Sequence, residues 1–299
     1  MGVTRLFTVL VVNQSLAWNR NEGAEIRQAV VGLVPAVEAC GGRVLATDGR
    51  ALFAVTRDGD DVAFRREGGF AALLRADVSV AHVHLVNKPA HAVVAALCRL
   101  RHIPVVCSPM AMLGRDFAAG SWFHDPRRPA GRTKPLLVAA LRLLWRRLAV
   151  WFVCTSEQER RQARLPADRT LLLPLPLGDS AVAAAADASG PGATATPHGP
   201  LALVSRFDVH RKGIDRVCAW LLRHADQLPR PAVRLFAPAD PAGEAVVGPA
   251  RDAGLLEWDT TTSGAKLAPA LRSCRGLVLL SRYEGQPRVL REAALLGLP

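Results

Sequence analysis

Short apolar runs and helix-length stretches alternate along this chain, and that alternation narrows its fold more than any other feature. Residues 6–12 form a strand-length apolar run, then come a polar loop and a helix-like stretch from Ala24 to about Ala39. Gly41-Gly42 ends that helix and residues 44–46 begin a new strand. Residues 78–85 read as an inner strand, 90–100 as a helix, 103–108 as a strand, and 150–156 as a strand that ends in Ser156 with a helix starting at Glu157. Runs at 201–205, 233–237 and 276–280 continue the pattern, with a short strand at 255–259 and a helix at 265–273. Continuous apolar runs suit strands covered on both faces, and intervening helices make the crossovers that parallel strands require. The expected class is α/β.

At 299 residues the chain exceeds one typical domain, and two are expected. Half of its residues are apolar, enough for two cores. Residues 181–199, rich in Ala, Gly, Ser, Thr and Pro, read as a linker between a domain over 1–180 and another over 200–299. The six cysteines are scattered, with no C-x-x-C pair and no metal-ligand spacing, as expected of small core residues in a reducing compartment. The formal net charge of +12 sets the sign of a partner and leaves nucleic acid, anionic membrane and diphosphate ligands open. Only that charge favours nucleic acid, because the aromatic residues are not interleaved with basic runs as stacking platforms require, so no nucleic-acid partner is expected. There is no long charge-free apolar span, and residues 1–12 enter a strand rather than a cleavage site, so a cytoplasmic protein is expected.

Two stretches carry chemistry. The last nineteen residues, from Ser281, contain Glu284-Gly285-Gln286-Pro287 and then Glu292, just after the apolar run 276–280. Pro287 suits the first turn of a helix and Gly297 its C′ end, so 284–286 is a strand-to-helix loop. A helix N-terminus offers unpaired N–H groups and about half a positive charge, a seat for phosphate or a negatively charged leaving group. Glu292 stands on the order of 10 Å beyond Glu284, which lets two carboxylates grip separate hydroxyl-bearing rings of one ligand. In the second stretch Arg206 follows the strand 201–205, a polar loop carries Lys212, and Gly213 opens a helix. Ligands of open α/β sheets sit at the carboxyl ends of strands, and two cations there can stabilise charge growing on a departing diphosphate.

Together these stretches resemble the signature of retaining glycosyltransferases of the GT4 kind. Glu284 and Glu292 hold the places of a Glu-x7-Glu motif, with Gly285 and Pro287 in register. Residues 205–213 are similar to a Gly-Arg-Leu-x-x-x-Lys-Gly element, with Ser205 in place of the first Gly and one residue more before Lys212. The resemblance covers nearly the whole chain. It implies a GT-B-like fold, two Rossmann-like domains facing across a cleft, with the second incomplete because family members continue with another strand and terminal helices. A strand edge left uncovered in this way is expected to lower stability and invite aggregation.

The resemblance also implies roles. Arg206 and Lys212 contact the diphosphate, aided by the amides of Gly285, Gln286 and Arg288, with Pro287 holding the turn between them. Glu284 contacts donor-sugar hydroxyls, and Glu292 the nucleotide ribose. Gly23, in the loop after the first strand, takes the place of a Gly-Gly that touches the donor phosphate; a plain loop leading into the helix is the other reading. His82 and His84 share one strand face. With no third ligand in view, the pair reads as semi-buried histidines or, for His84, as an acceptor-side residue. Met110-Ala111 stand where the family shows His-Gly. Either another residue such as His124 compensates, or the acceptor differs, or activity is lost. Pro238-Ala-Asp-Pro241 replaces a Gly-x-Gly turn.

Residues 136–151 carry Arg142, Arg146 and Arg147 on one helical stripe, with Trp145 and Trp151. Such a helix either rests on an anionic bilayer as a peripheral contact or packs with a solvated basic face.

The expected function is hexose transfer with retention from a nucleotide-diphosphate sugar to a glycan or lipid-linked acceptor, in cell-surface polysaccharide biosynthesis. No metal and no cofactor are expected, since fixed cations take the metal's place. A glycosidase using Glu284 and Glu292 would leave Arg206 and Lys212 without a role. The alternative from another class is a non-catalytic, degenerate transferase fold acting as a basic membrane-surface or interaction protein.

Overall fold

The computed structural model describes residues 7–13, 24–58, 61–84, 86, 88–110, 112–114, 134–174, 177, 182–183, 198–205, 209–262, 266–282, 284 and 286–299. These form two compact units, one built from the described residues up to 174 and one from 177 onwards.

The first unit holds strands β1 (Thr8–Val12), β2 (Arg43–Thr47), β3 (Ala51–Asp58), β4 (Asp61–Gly69), β5 (Val80–His84), β6 (Val105–Ser108), β7 (Trp151–Cys154) and β8 (Thr170–Leu172). They lie in one sheet in the order β4-β3-β2-β1-β5-β6-β7-β8. Strands β2, β1, β5, β6, β7 and β8 are parallel, while β3 pairs antiparallel with both β2 and β4. The antiparallel pair β3–β4 was not read from the sequence. Its signals were there: Asp58-Gly59 between two runs that carry Leu52, Val55, Val62 and Phe64.

Helices α1 (Ala24–Ala39), α2 (Phe70–Arg75), α3 (Pro89–Leu100), α4 (Lys134–Leu148) and α5 (Glu157–Ala163) complete the unit. Val30, Val34 and Val37 of α1 recur at helical spacing and pack on Val9, Val11, Val44 and Val55 of the sheet. Ser156 caps α5 by accepting from the Glu159 amide, and Glu159 reaches back past the cap to the amide and hydroxyl of Thr155, which fixes the turn after β7.

Helix α4 packs through its tryptophan and keeps two of its three arginines in solvent, and it departs from the expected basic face at Arg142. Trp145 is fully buried and its indole N–H donates to the Val86 carbonyl at 3.0 Å. Arg142 is drawn in, donating to the carbonyls of Leu113 and Gln162. Leu136, Leu137, Leu143 and Leu144 point outward, the first 73% exposed, while Arg146 and Arg147 are exposed at the helix end. Arginine spacing alone could not show this, because the buried indole decides which way the helix turns.

In the second unit, β9 (Leu201–Val204), β10 (Val233–Phe236), β11 (Leu256–Asp259) and β12 (Gly276–Leu277) form a parallel sheet in the order β11-β10-β9-β12. Its helices are α6 (Ile214–Arg223), α7 (Pro241–Asp252), α8 (Leu267–Leu271) and α9 (Arg288–Leu295). Neighbouring strand residues feed opposite cores. Leu203 and Leu235 join Val217, Leu221 and Val247 of α6 and α7, whereas Ala202 and Phe236 join Leu271 and Ala293 of α8 and α9. A sheet covered on both faces needs the continuous apolar runs seen in the sequence. The strand expected over 276–280 pairs only at Gly276–Leu277. The Val278 amide still donates to the Ala202 carbonyl, and the chain then leaves the ladder. At 238–241, Asp240 accepts from the Gly243 amide at 2.7 Å and Pro241 opens α7, so a capped helix start stands where the family resemblance led to a Gly-x-Gly turn.

Candidate functional site

Both sheets reverse their direction of winding at one place, and ligand loops collect at such points, outside the strands' carboxyl ends. In the second unit β9 leads to β10 on one side while β12 lies on the other, so the reversal falls between β9 and β12. The loop after β9 carries Lys212, and the loop after β12 carries Glu284. Across 72 residues of sequence, Lys212 Nζ reaches Glu284 Oε1 at 2.5 Å, and the Ser281 hydroxyl donates to the same oxygen at 2.7 Å. Both charged side chains are mostly buried, at 13% and 17% exposed, so their attraction is less screened than that of a surface pair.

The backbone explains why these loops meet. Gly213 sits at φ 68° against the Leu280 carbonyl, and a Cβ there would lie 2.1 Å from that oxygen. Only glycine allows both the left-handed conformation and the approach. The Arg282 amide donates to the Arg211 carbonyl at 2.8 Å. The Arg282 guanidinium forks onto Asp215, at 2.7 and 2.8 Å, and also donates to the His210 carbonyl at 2.5 Å. Burial works against the Asp215 carboxylate, yet the Arg282 hydrogen bonds and charge outweigh it and hold the carboxyl below its ordinary range. The Asp215 partner raises Arg282 in turn. Arg282, Asp215 and Ser281 lie within or beside the two chemistry-bearing stretches, where no local pattern gives them a role. The only local signal was an acid in the first turn after Lys212-Gly213.

Glu292 is 7% exposed and pairs with Arg288, four residues earlier on α9, whose Nη2 and Nε lie 2.8 and 3.2 Å from Oε1. The two acids of the motif thus stand with different cations, Glu284 with Lys212 and Glu292 with Arg288. Pro287 occupies the N-cap position of α9, one place before the expected first turn, and Gly297 takes the expected positive φ, 69°, just past the helix. Gln286 lies between Glu284 and that cap. Ser205, in the place of the family's glycine, is buried at the carboxyl end of β9 and its hydroxyl makes no hydrogen bond. Arg206, Gly285, Gly23, Ala111 and His124 lie outside the described residues.

The first unit reverses between β1 and β5, and His84 ends β5 there. Its ring is 3% exposed, neither ring nitrogen makes a hydrogen bond, and it lies 4.1 Å from the His82 ring, centroid to centroid. His82 shares a hydrogen bond with the Ser108 hydroxyl at 2.8 Å. Burial lowers His82 to about 4; burial, followed by His82 and His91, lowers His84 well below the usual imidazole value, so both rings are neutral at pH 7. Among the described residues, no three His, Cys, Asp or Glu side chains form a metal-binding cluster. No described helix is long and apolar enough to cross a membrane.

Two doubly wound units, the second wholly parallel with a paired cation and acid at its switch point, have a GT-B-like fold. Solved structures of that kind match the chain over nearly its whole length. HepE from Anabaena, solved with UDP-glucose, matches at TM-score 0.55 and 13% identity, covering 98% of this chain and 79% of its own. A trehalose-6-phosphate synthase, studied for glycosyl transfer with retention, matches at TM-score 0.59 and 14% identity, covering 96% and 81%. The catalytic domain of starch synthase IV from Arabidopsis thaliana, bound to ADP and acarbose, matches at 0.56 and 11%, covering 97% and 80%. No family model and no curated protein matches the sequence.

Proposed function

We propose that the chain is a retaining glycosyltransferase of the GT4 kind, moving a hexose from a nucleotide-diphosphate sugar to a glycan or lipid-linked acceptor in cell-surface polysaccharide biosynthesis. The observation that carries this reading is the meeting of Lys212 and Glu284 at the switch point of the second sheet. When the bond between sugar and diphosphate breaks, negative charge collects on the departing phosphate oxygens, and fixed cations held before the reaction stabilise that charge at no cost of reorganisation. Lys212 and Arg206 fill this role, with the amides of Gly285, Gln286 and Arg288. Glu284 grips sugar hydroxyls, Glu292 the ribose, and Gly23 offers its amide to the donor phosphate. His84, buried, neutral and without a hydrogen-bond partner at the first switch point, is suited to hydrogen-bond an uncharged acceptor hydroxyl.

In this reading no metal takes part. The molecule works in the cytoplasm and rests on the anionic inner face of a membrane through residues 136–151. Four outward leucines on α4, with Arg146 and Arg147 beside them, support that seat.

Calorimetric titration with uridine and guanosine diphosphates, followed by a donor-consumption assay with and without chelator, tests the reading. A saturable site and chelator-insensitive turnover are expected. A metal requirement, or full activity in Lys212→Ala, overturns it, and absence of any nucleotide site favours the non-catalytic alternative.

A further inference from the structure

We propose that Arg282, clamped on Asp215, is the positioning residue that sets Lys212 against Glu284. The diphosphate part of this inference rests on the reading above; the clamp itself does not.

A lysine ammonium sits on a flexible four-carbon stem, so its place depends on the backbone beneath it. Here the residues on both sides of Lys212 are tied to the loop that bears Glu284. The His210 carbonyl accepts from the Arg282 guanidinium, the Arg211 carbonyl from the Arg282 amide, Gly213 lies under the Leu280 carbonyl, and Asp215 takes both arms of the Arg282 fork. Lys212 itself is left to face Glu284. Arg282 stands one residue after Ser281 and two before Glu284, so a single short segment carries the clamp, the acid and the Ser281 hydroxyl that also holds it.

The pair is suited to holding geometry. A bidentate arginine–carboxylate contact fixes orientation as well as distance, which a lysine cannot reproduce. Asp215 lies in the first turn of α6, where the helix end also favours a carboxylate. Both side chains are partly withdrawn from solvent, at 23% and 34% exposed. Arg282 touches neither Glu284 nor Lys212 in any of these bonds; it acts through the backbone on which Lys212 rides.

Amide hydrogen exchange of the full chain without ligand tests the clamp. In Arg282→Lys, amides of residues 209–213 should exchange about tenfold faster while the melting temperature barely moves. Unchanged exchange overturns the proposal. Should Arg282→Lys fail to fold, Asp215→Asn carries the same expectation. Titration with uridine and guanosine diphosphates then asks whether Arg282 works through Lys212. Arg282→Lys should weaken binding about tenfold, and Arg282→Lys combined with Lys212→Ala should bind no more weakly than Lys212→Ala alone. Additive losses overturn the positioning role. If the unaltered chain binds neither nucleotide, the glycosyl-transfer reading fails, and the exchange result alone decides the clamp.

Discussion

Lys212 and Gly213 are adjacent, and their replacement should fail in different ways. Lys212→Ala removes a cation from the place where a diphosphate would depart, and loss of one preorganised stabilising group costs about a hundredfold in turnover. The fold should survive, because the side chain belongs to no hydrophobic core. Gly213→Ala instead places a methyl 2.1 Å from the Leu280 carbonyl at a positive φ, so it should destabilise the second unit by about 1–3 kcal/mol. Chemical denaturation and a donor-consumption assay, run on both variants, separate the two. A Lys212→Ala protein that is unstable but fully active per folded molecule would contradict this assignment. The lysine, its glycine and both acids could be named from sequence because motif spacing is local. Arg282 and Asp215 could not, since 67 residues separate them and only the parallel sheet brings their loops together.

At the scale of elements, α4 is where structure adds most to sequence. A surface helix usually turns polar residues to water, yet Leu136, Leu137, Leu143 and Leu144 face outward and the helix holds no acidic residue. On phosphatidylglycerol-containing vesicles the chain should co-float, and on phosphatidylcholine alone it should not. Replacing Arg146 and Arg147 by Ala should weaken binding about thirtyfold, at roughly 1 kcal/mol per cation near a charged surface. Leu137→Glu with Leu144→Glu should abolish it. Flotation that ignores both changes would mean that another surface binds lipid, and dimerisation lost in the leucine variant would name a second copy as the occupant. Strands and helices of the βαβ kind were legible because each apolar run is bounded and followed by a helical period. The β3–β4 pair was not, since Thr56, Arg57, Arg65, Arg66 and Glu67 interrupt its apolar residues and leave no continuous apolar run.

Across the whole molecule, acid should act on the two units unequally. Burial holds His82 down to about 4 and holds His84 well below the usual imidazole value, and both belong to the first unit. An unfolded histidine titrates near 6.5, so above that value neither state is protonated and the pair costs nothing. As pH falls from about 6.5 towards 4, the unfolded chain takes up protons that the folded unit refuses, and stability drops, by about 2–3 kcal/mol for His82 at the lower limit. The second unit has its perturbed carboxyls at Asp215 and Asp259, both held low, Asp259 at about 2. Their contribution is intact above the unfolded carboxyl value near 4 and fades only below it. Between pH 6.5 and 4 the first unit should therefore weaken while the second holds. Calorimetric scans at pH 7 and pH 4.5 should show one transition falling by about 5–10 °C and another nearly fixed. His82→Gln with His84→Gln should flatten the pH slope of the falling transition, whatever it does to stability at pH 7. A slope that persists in that variant would place the proton uptake on other groups, and a parallel fall of both transitions would mean that the units unfold as one.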